Sequence, residues 1–174
     1  MYGPVNFLDP FWVTEIPSLR AKIPRDLSLQ FTNQVYSENP IPIEGGVGPE
    51  NQAPGPPDFT DPRQAFAYTL LSKGGLWNVI CPPGDWPKAD PLENITPQFP
   101  PTFIVHGQND DYVPIHLSRD LYATLKKHGV KCGMTEIPEE SHSFAARMTV
   151  GSRTWSLQCH GFDFFEAIMN EEVK

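Results

Sequence analysis

The stretch PTFIVHGQNDDYVP, residues 101–114, decides how the rest of this sequence is read. Its first half, Thr102-Phe103-Ile104-Val105-His106, is short, apolar and rich in β-formers. Pro100-Pro101 precedes it and Gly107 follows it, as expected of a buried strand. Beyond Gly107 the run turns polar and acidic, so Asp110 and Asp111 are presented just past the strand's C-terminal end. In open α/β sheets that end is where ligands sit. Residues 116–128 place Leu117, Leu121, Thr124 and Leu125 on one face. Lys126 and Lys127 fall in the last turn and Gly129 lies just beyond, which predicts a helix. Residues 131–137 form a second strand candidate, closed by Pro138. Residues 153–170 carry Trp155, Cys159, Phe162, Phe165 and Met169 on a broad apolar stripe, which predicts a C-terminal helix with a weak point at Gly161. Strand, helix, strand, helix with short connections predicts an α/β layer with a parallel strand pair.

The sequence upstream has a different character. Of 20 prolines in 174 residues, 18 lie in residues 1–101 and only Pro114 and Pro138 lie beyond. This shift places a boundary at 101/102. Residues 1–101 read as a helical, Pro-rich lid and connector region, and residues 102–174 as a regular α/β part. Asp9-Pro10 and Asp61-Pro62 are helix starts of the cap-plus-proline kind. The first is expected to run to about Ile16, where Pro17 stops it, and the second to about Ser72, before Gly74-Gly75. Leu27, Phe31 and Val35 suggest an amphipathic helix over 25–36. Residues 40–57, rich in Pro and Gly, and residues 82–101 read as loops.

Composition narrows the function classes. The net charge of −8 is spread over both parts, with no basic patch, so nucleic acid and anionic membranes are poor partners. No apolar run approaches the ~20 residues of a membrane span. Cys81, Cys132 and Cys159 are an odd number without paired spacing, which fits reduced thiols better than disulfides or zinc. No secretory signal is visible at the N-terminus, and a cytoplasmic location is expected.

Chemistry is concentrated after the two strands. The second is followed by Glu139-Glu140-Ser141-His142-Ser143-Phe144. If the strands are parallel neighbours, both following loops emerge at one edge, and Asp110 faces His142. A carboxylate that accepts from imidazole Nδ1 fixes the tautomer and stabilises the imidazolium, the acid–base half of a triad. Asp110 also has the simpler reading of a helix cap, Asp111 that of a turn residue, and His142 that of a surface-loop histidine. His106 reads as structural, and His116, His128 and His160 receive no role. A metal site of His106, Asp110 and His142 lacks the spacing of a closed site. Pro54-Gly55-Pro56-Pro57 matches a P-x-x-P ligand, though a lid loop explains it as well. Phe7, Phe11, Trp12, Phe31, Tyr36 and Phe59 either wall an acyl pocket or simply pack the lid.

Residues 90–114, 118–130 (SRDLYATLKKHGV) and 136–144 (EIPEESHSF) resemble the α/β-hydrolase family. The likeness is to its esterase/lipase-like branch and extends to prolyl-oligopeptidase-like peptidases. MYGPVNFLDPF at residues 1–11 is similar to the family's stretch after the nucleophile. In this family the triad runs Ser, Asp, His along the chain. The HGxxDxxVP pattern then implies Asp110 as the acid, and xxHxF implies His142 as the base, 32 residues on. No serine in the chain has the G-x-S-x-G setting, and no HGGG-type oxyanion segment is present. The resemblance therefore implies the C-terminal half of a serine hydrolase of acyl esters, a truncated or partial chain that is inactive alone. Its expected partner is a small ester substrate once an N-terminal half completes the site. No cofactor or metal is expected. Two alternatives remain, a peptidase fragment and a non-catalytic module that binds a partner or itself through an exposed sheet edge.

Overall fold

A computed structural model of the chain describes residues 3–23, 33–35, 37, 59–81 and 84–172. The loop expected at 40–57 with its P-x-x-P, most of the helix expected at 25–36, and Phe31 and Tyr36 lie outside these residues. The chain divides into two compact units, residues 9–83 and residues 1–8 with 84–174.

The first unit is built from short helices started by proline. Asp9 caps a single 3-10 turn, Pro10–Val13, accepting from the Phe11 amide at 2.8 Å. The helix expected to reach Ile16 stops there. Pro17 does not end it but opens a separate turn, α1 (Pro17–Arg20). Proline suits a first helical position because its missing N–H would have no partner there. Asp61 caps α2 (Pro62–Ser72) by accepting from the Arg63 and Gln64 amides, as the sequence predicts. A further helix, α3 (Leu76–Ile80), follows Gly74-Gly75. Leu19, Ala65 and Ser72 are fully buried, and Trp12 meets Trp77 edge-on at 5.2 Å.

The second unit contains α4 (Trp86–Ala89), β1 (Thr102–Gly107), α5 (Ile115–Lys127), β2 (Cys132–Ile137) and α6 (Arg153–Glu172). β1 and β2 are parallel, with Thr102 opposite Cys132 and Gly107 opposite Ile137. Successive strand residues face opposite sides. Ile104 joins Leu125 of α5, with Ile95 and Val130, in one core; Leu92 and Phe99 pack against it. Val105 joins Ile137 and Phe144 in a second, against which Phe103 and Leu157 of α6 pack. The sheet thus has a helix on each face.

Residues 84–101 belong to this unit rather than to the proline-rich part, because Leu92, Ile95 and Phe99 pack on its core despite the intervening prolines. Residues 1–8 belong here too. Fully buried Asp90 accepts from the amides of Asn6 at 2.9 Å and Phe7 at 2.6 Å. The Phe7 backbone is thereby anchored in the α/β unit. In α6 the sheet is met by a face other than the expected stripe of Trp155, Cys159, Phe162, Phe165 and Met169. Phe164 meets Phe103 at 5.2 Å and Gly161 lies against Phe103 and Val105, whereas Phe162, Phe165 and Met169 are exposed. A sheet of two strands is too narrow to cover the whole face of a helix this long.

Arg119 of α5 holds Glu136 of β2 through Nε and Nη2, each 2.7 Å from a carboxylate oxygen. This pairing, against a smaller effect of burial, brings the Glu136 carboxyl down to about 2. A depressed carboxyl stabilises the fold above its ordinary range, and this contribution is lost as pH falls toward 2. Both side chains are partly exposed, so the pair is a modest brace. Arg119→Ala is expected to lower the urea midpoint only slightly at pH 7, and less still in high salt. A cost unchanged by salt would show that packing of the arginine stem dominates.

Candidate active site

The two loops that leave the parallel strands meet at once. Gln108 donates its amide to the Ile137 carbonyl, and Asn109 donates to the Glu140 carbonyl, both at 2.9 Å. The approach is closest at Gly107. A Cβ there would lie 2.5 Å from the Glu140 carbonyl oxygen and 3.0 Å from that of Ser141. Any side chain at 107 would force the loops apart.

Asp110 is seated by this turn and its side chain is completely buried. Oδ1 accepts from the Tyr112 and Val113 amides, each at 2.9 Å. The helix-cap reading is thus realised locally, as a turn that leads into α5. Oδ2 accepts from His142 Nδ1 at 2.9 Å and lies 3.2 Å from His106 Nε2. Burial pushes this carboxyl up, but hydrogen bonds from His106, His142 and the Val113 amide outweigh it and hold it well below the usual carboxylate range. Asp111 is exposed beside it.

His142 stands on the loop after β2, with about a third of its side chain exposed. Its ring lies 5.1 Å from that of Tyr112. Two non-glycine residues near it have left-handed backbones, Glu139 at φ 65° and Ser143 at φ 60°. Each conformation costs of order 1 kcal/mol and persists only where surrounding contacts impose it. Beside Glu139 those contacts are the Asn109 bond to the Glu140 carbonyl and a 2.9 Å bond from the Thr154 hydroxyl to Glu140 Oε1, and the Ser143 carbonyl accepts from the Ala146 amide at 3.0 Å. Strain is thus held on both sides of the imidazole.

His106, read from the sequence as structural, is fully buried and also part of this cluster. Its position two residues after inward-facing Ile104 is the signal that it points to the α5 side of the sheet. Nothing in spacing alone marks its partners there.

Ser143 and Phe144, immediately after His142, line an open apolar cavity of about 440 Å³ together with Phe103, Val105, Gly161 and Phe162. Among the described residues no group of His, Cys, Asp and Glu is arranged to hold a metal ion, and no helix is long and apolar enough to cross a membrane.

A parallel pair with helices on both faces, carrying a buried Asp and a His on adjacent strand ends, is the C-terminal part of an α/β-hydrolase. Residues 84–171, about half of the chain, match the prolyl oligopeptidase family, and the chain belongs to it. Esterase LipQ of Mycobacterium tuberculosis (strain ATCC 25618 / H37Rv) is 35% identical over 72 residues, covering 41% of this chain and 17% of LipQ. The non-reducing polyketide synthase mapC' of Penicillium brevicompactum is 24% identical over 168 residues, 82% of this chain and 8% of the synthase. The non-reducing polyketide synthase ascC of Acremonium egyptiacum is 24% identical over 179 residues, 94% of this chain and 8% of the synthase. The chain spans less than a fifth of the length of each of these relatives. No solved structure gives a significant match.

Proposed function

We propose that this chain supplies the acid and base of a serine hydrolase acting on acyl esters, with Asp110 orienting His142. The supporting observation is the 2.9 Å contact from His142 Nδ1 to the buried carboxylate of Asp110. It commits Nδ1 to the carboxylate and assigns Nε2 to the reaction. In a completed site Nε2 takes the proton of a serine hydroxyl as its oxygen attacks the ester carbonyl. It then returns that proton to the leaving alkoxide, which departs and leaves an acyl-serine. Water, deprotonated by the same nitrogen, releases the acid. Asp110 stays ionised throughout and stabilises the imidazolium.

The serine and the oxyanion donors are proposed to come from residues outside these 174, since no G-x-S-x-G or HGGG-type segment occurs among them. In this reading residues 1–101 act as lid and connector, with 1–8 and 84–101 as the connecting parts that belong to the α/β unit, residues 102–174 carry the acid and base, and the protein works in the cytoplasm. The chain alone is expected to have no ester turnover. The family match leaves a peptide bond as the alternative scissile group. The narrow two-stranded sheet and the exposed Phe162 and Phe165 favour a partner half, covalent or separate, over a free-standing module.

An aryl-ester assay on the purified chain and its His142→Ala variant tests this. Background rates are expected for both. Turnover lost on His142→Ala would place a nucleophile inside the 174 residues and overturn the proposal of an external one. Co-expression with an N-terminal hydrolase half that bears G-x-S-x-G is expected to give turnover that needs both Asp110 and His142.

A further inference from the structure

The acid–base pair does not end at Asp110. Behind it His106 of β1 and Ser118 of α5 continue a buried hydrogen-bonded line, with both residues at most 1% exposed. His106 Nε2 faces two acceptors, the Val113 carbonyl at 2.8 Å and Asp110 Oδ2 at 3.2 Å. A nitrogen between two acceptors must carry the hydrogen. In the neutral ring Nδ1 is then bare, and the Ser118 hydroxyl, 2.6 Å away, donates to it. The two acceptors thereby fix the tautomer of His106, Ser118 satisfies the nitrogen left bare, and His106 in turn donates toward the oxygen that His142 uses.

We infer that His106 is a positioning residue of the acid–base pair, held in its donating tautomer by the Val113 carbonyl, seated by Ser118, and fixing Asp110 Oδ2 where His142 meets it. The inference rests on the reading of Asp110 and His142 as acid and base, and it adds two residues to that machinery. The geometry explains why a strand-end histidine is buried with both ring nitrogens engaged. Nε2 ties the Val113 carbonyl, and hence the far side of the Asp110 turn, back to β1. Its second, longer contact completes the set of four donors around the carboxylate, two amides on Oδ1 and two imidazoles on Oδ2. A merely space-filling histidine would need neither the Ser118 hydroxyl nor the hydrogen on Nε2.

The test is a pH titration of the Asp110 carboxyl carbon by NMR on the full chain, beside a thermal melt of each variant. His142 from the loop after β2 and His106 from β1 face this carboxylate. Glu136, opposite His106 on β2 and paired with Arg119 of α5, and exposed Asp111 beside the carboxylate are further charged groups near it. His106→Leu removes the donor but keeps bulk, and is expected to raise the Asp110 midpoint by about one pH unit or more. His106→Gln keeps an N–H donor near Nε2 and is expected to stay close to the parent. Ser118→Ala leaves the buried Nδ1 without its donor and the ring less firmly seated, and is expected to give a smaller rise of about half a unit. It is also the variant that decides if His106→Leu does not fold. A folded His106→Leu protein with an unchanged midpoint, or Gln no better than Leu, would overturn the inference. So would an unchanged midpoint in Ser118→Ala. Failure of the catalytic reading looks different, since the titration result would stand while the assembled hydrolase would keep turnover after Asp110→Asn.

Discussion

Gly107→Ala is expected to push the Asp110 and His142 loops apart and to destabilise the α/β unit by about 2–3 kcal/mol. The cause is contact, not conformational freedom. The new Cβ would sit 2.5 Å from a backbone oxygen and 2.9 Å from a carbonyl carbon of Glu140. Neither atom ends a flexible side chain, so the whole 139–143 loop must shift. That loop is pinned by the Asn109 amide on one side and by Thr154 on the other. Gly129→Ala provides the contrast. Its φ of +73° demands a left-handed backbone, but nothing lies within 4 Å of its Cβ position. It is expected to cost about 1 kcal/mol from strain alone and to leave the site intact. Urea unfolding of both variants reads the difference. The NMR contact between the Tyr112 and His142 rings reads the geometry, and it should weaken only in Gly107→Ala. In an assembled hydrolase, a shift of about 1 Å between acid and base would lower kcat by roughly a hundredfold. Equal costs for the two variants would mean that the loops can part freely and that Gly107 does not set their spacing.

What could be read from residues alone follows the length and regularity of each signal. Strands β1 and β2 are visible because each is a short run bounded by proline or glycine. Helix α5 is visible through its period and its lysines. Parallel pairing then brings Asp110 and His142 to one edge, because strands in register deliver their following loops side by side. The short helices are not visible. Pro17–Arg20, Leu76–Ile80 and Trp86–Ala89 are each one turn or little more, below the length at which a period can be counted. Proline misleads here, since Pro17 opens a helix where it was expected to close one. Helix α6 is visible as a helix, but not the face that it buries. That depends on how wide a sheet it crosses, which no local pattern records. His106 shows the same limit at the site. Its role follows from Ser118, twelve residues on and a helix turn past the loop, and from the Val113 carbonyl, a backbone group that spacing cannot single out. The left-handed Ser143 is equally silent in sequence, because serine gives no sign of the backbone strain it carries.

Asp110→Asn is expected to be the most damaging single-atom-scale change in the chain. An amide in place of the carboxylate has one acceptor where the site offers donors on both sides. With its oxygen at Oδ1 it satisfies the Tyr112 and Val113 amides, and its NH₂ then faces His106 Nε2 and His142 Nδ1. Turned over, the NH₂ faces the two backbone amides instead. Either arrangement buries opposed donors, which costs about 2–4 kcal/mol. His142 can relieve its share by moving its hydrogen to Nε2, but that leaves no lone pair where the serine proton must go. In an assembled hydrolase this is expected to lower kcat by about 10⁴-fold. His106 has no such escape, because Val113 still requires a hydrogen on its Nε2. The pH dependence gives an independent check on the isolated chain. The Asp110 carboxyl is held below its ordinary range in the folded state. Its contribution is therefore complete above the unfolded value of about 3.9 and is lost as pH falls below that. Asparagine has no carboxyl to protonate. The gap in stability between parent and variant is thus expected to narrow as pH falls below about 4, in urea unfolding at each pH. A gap that stays constant down to about pH 2.5 would mean that no ionised carboxylate at Asp110 holds the two histidines.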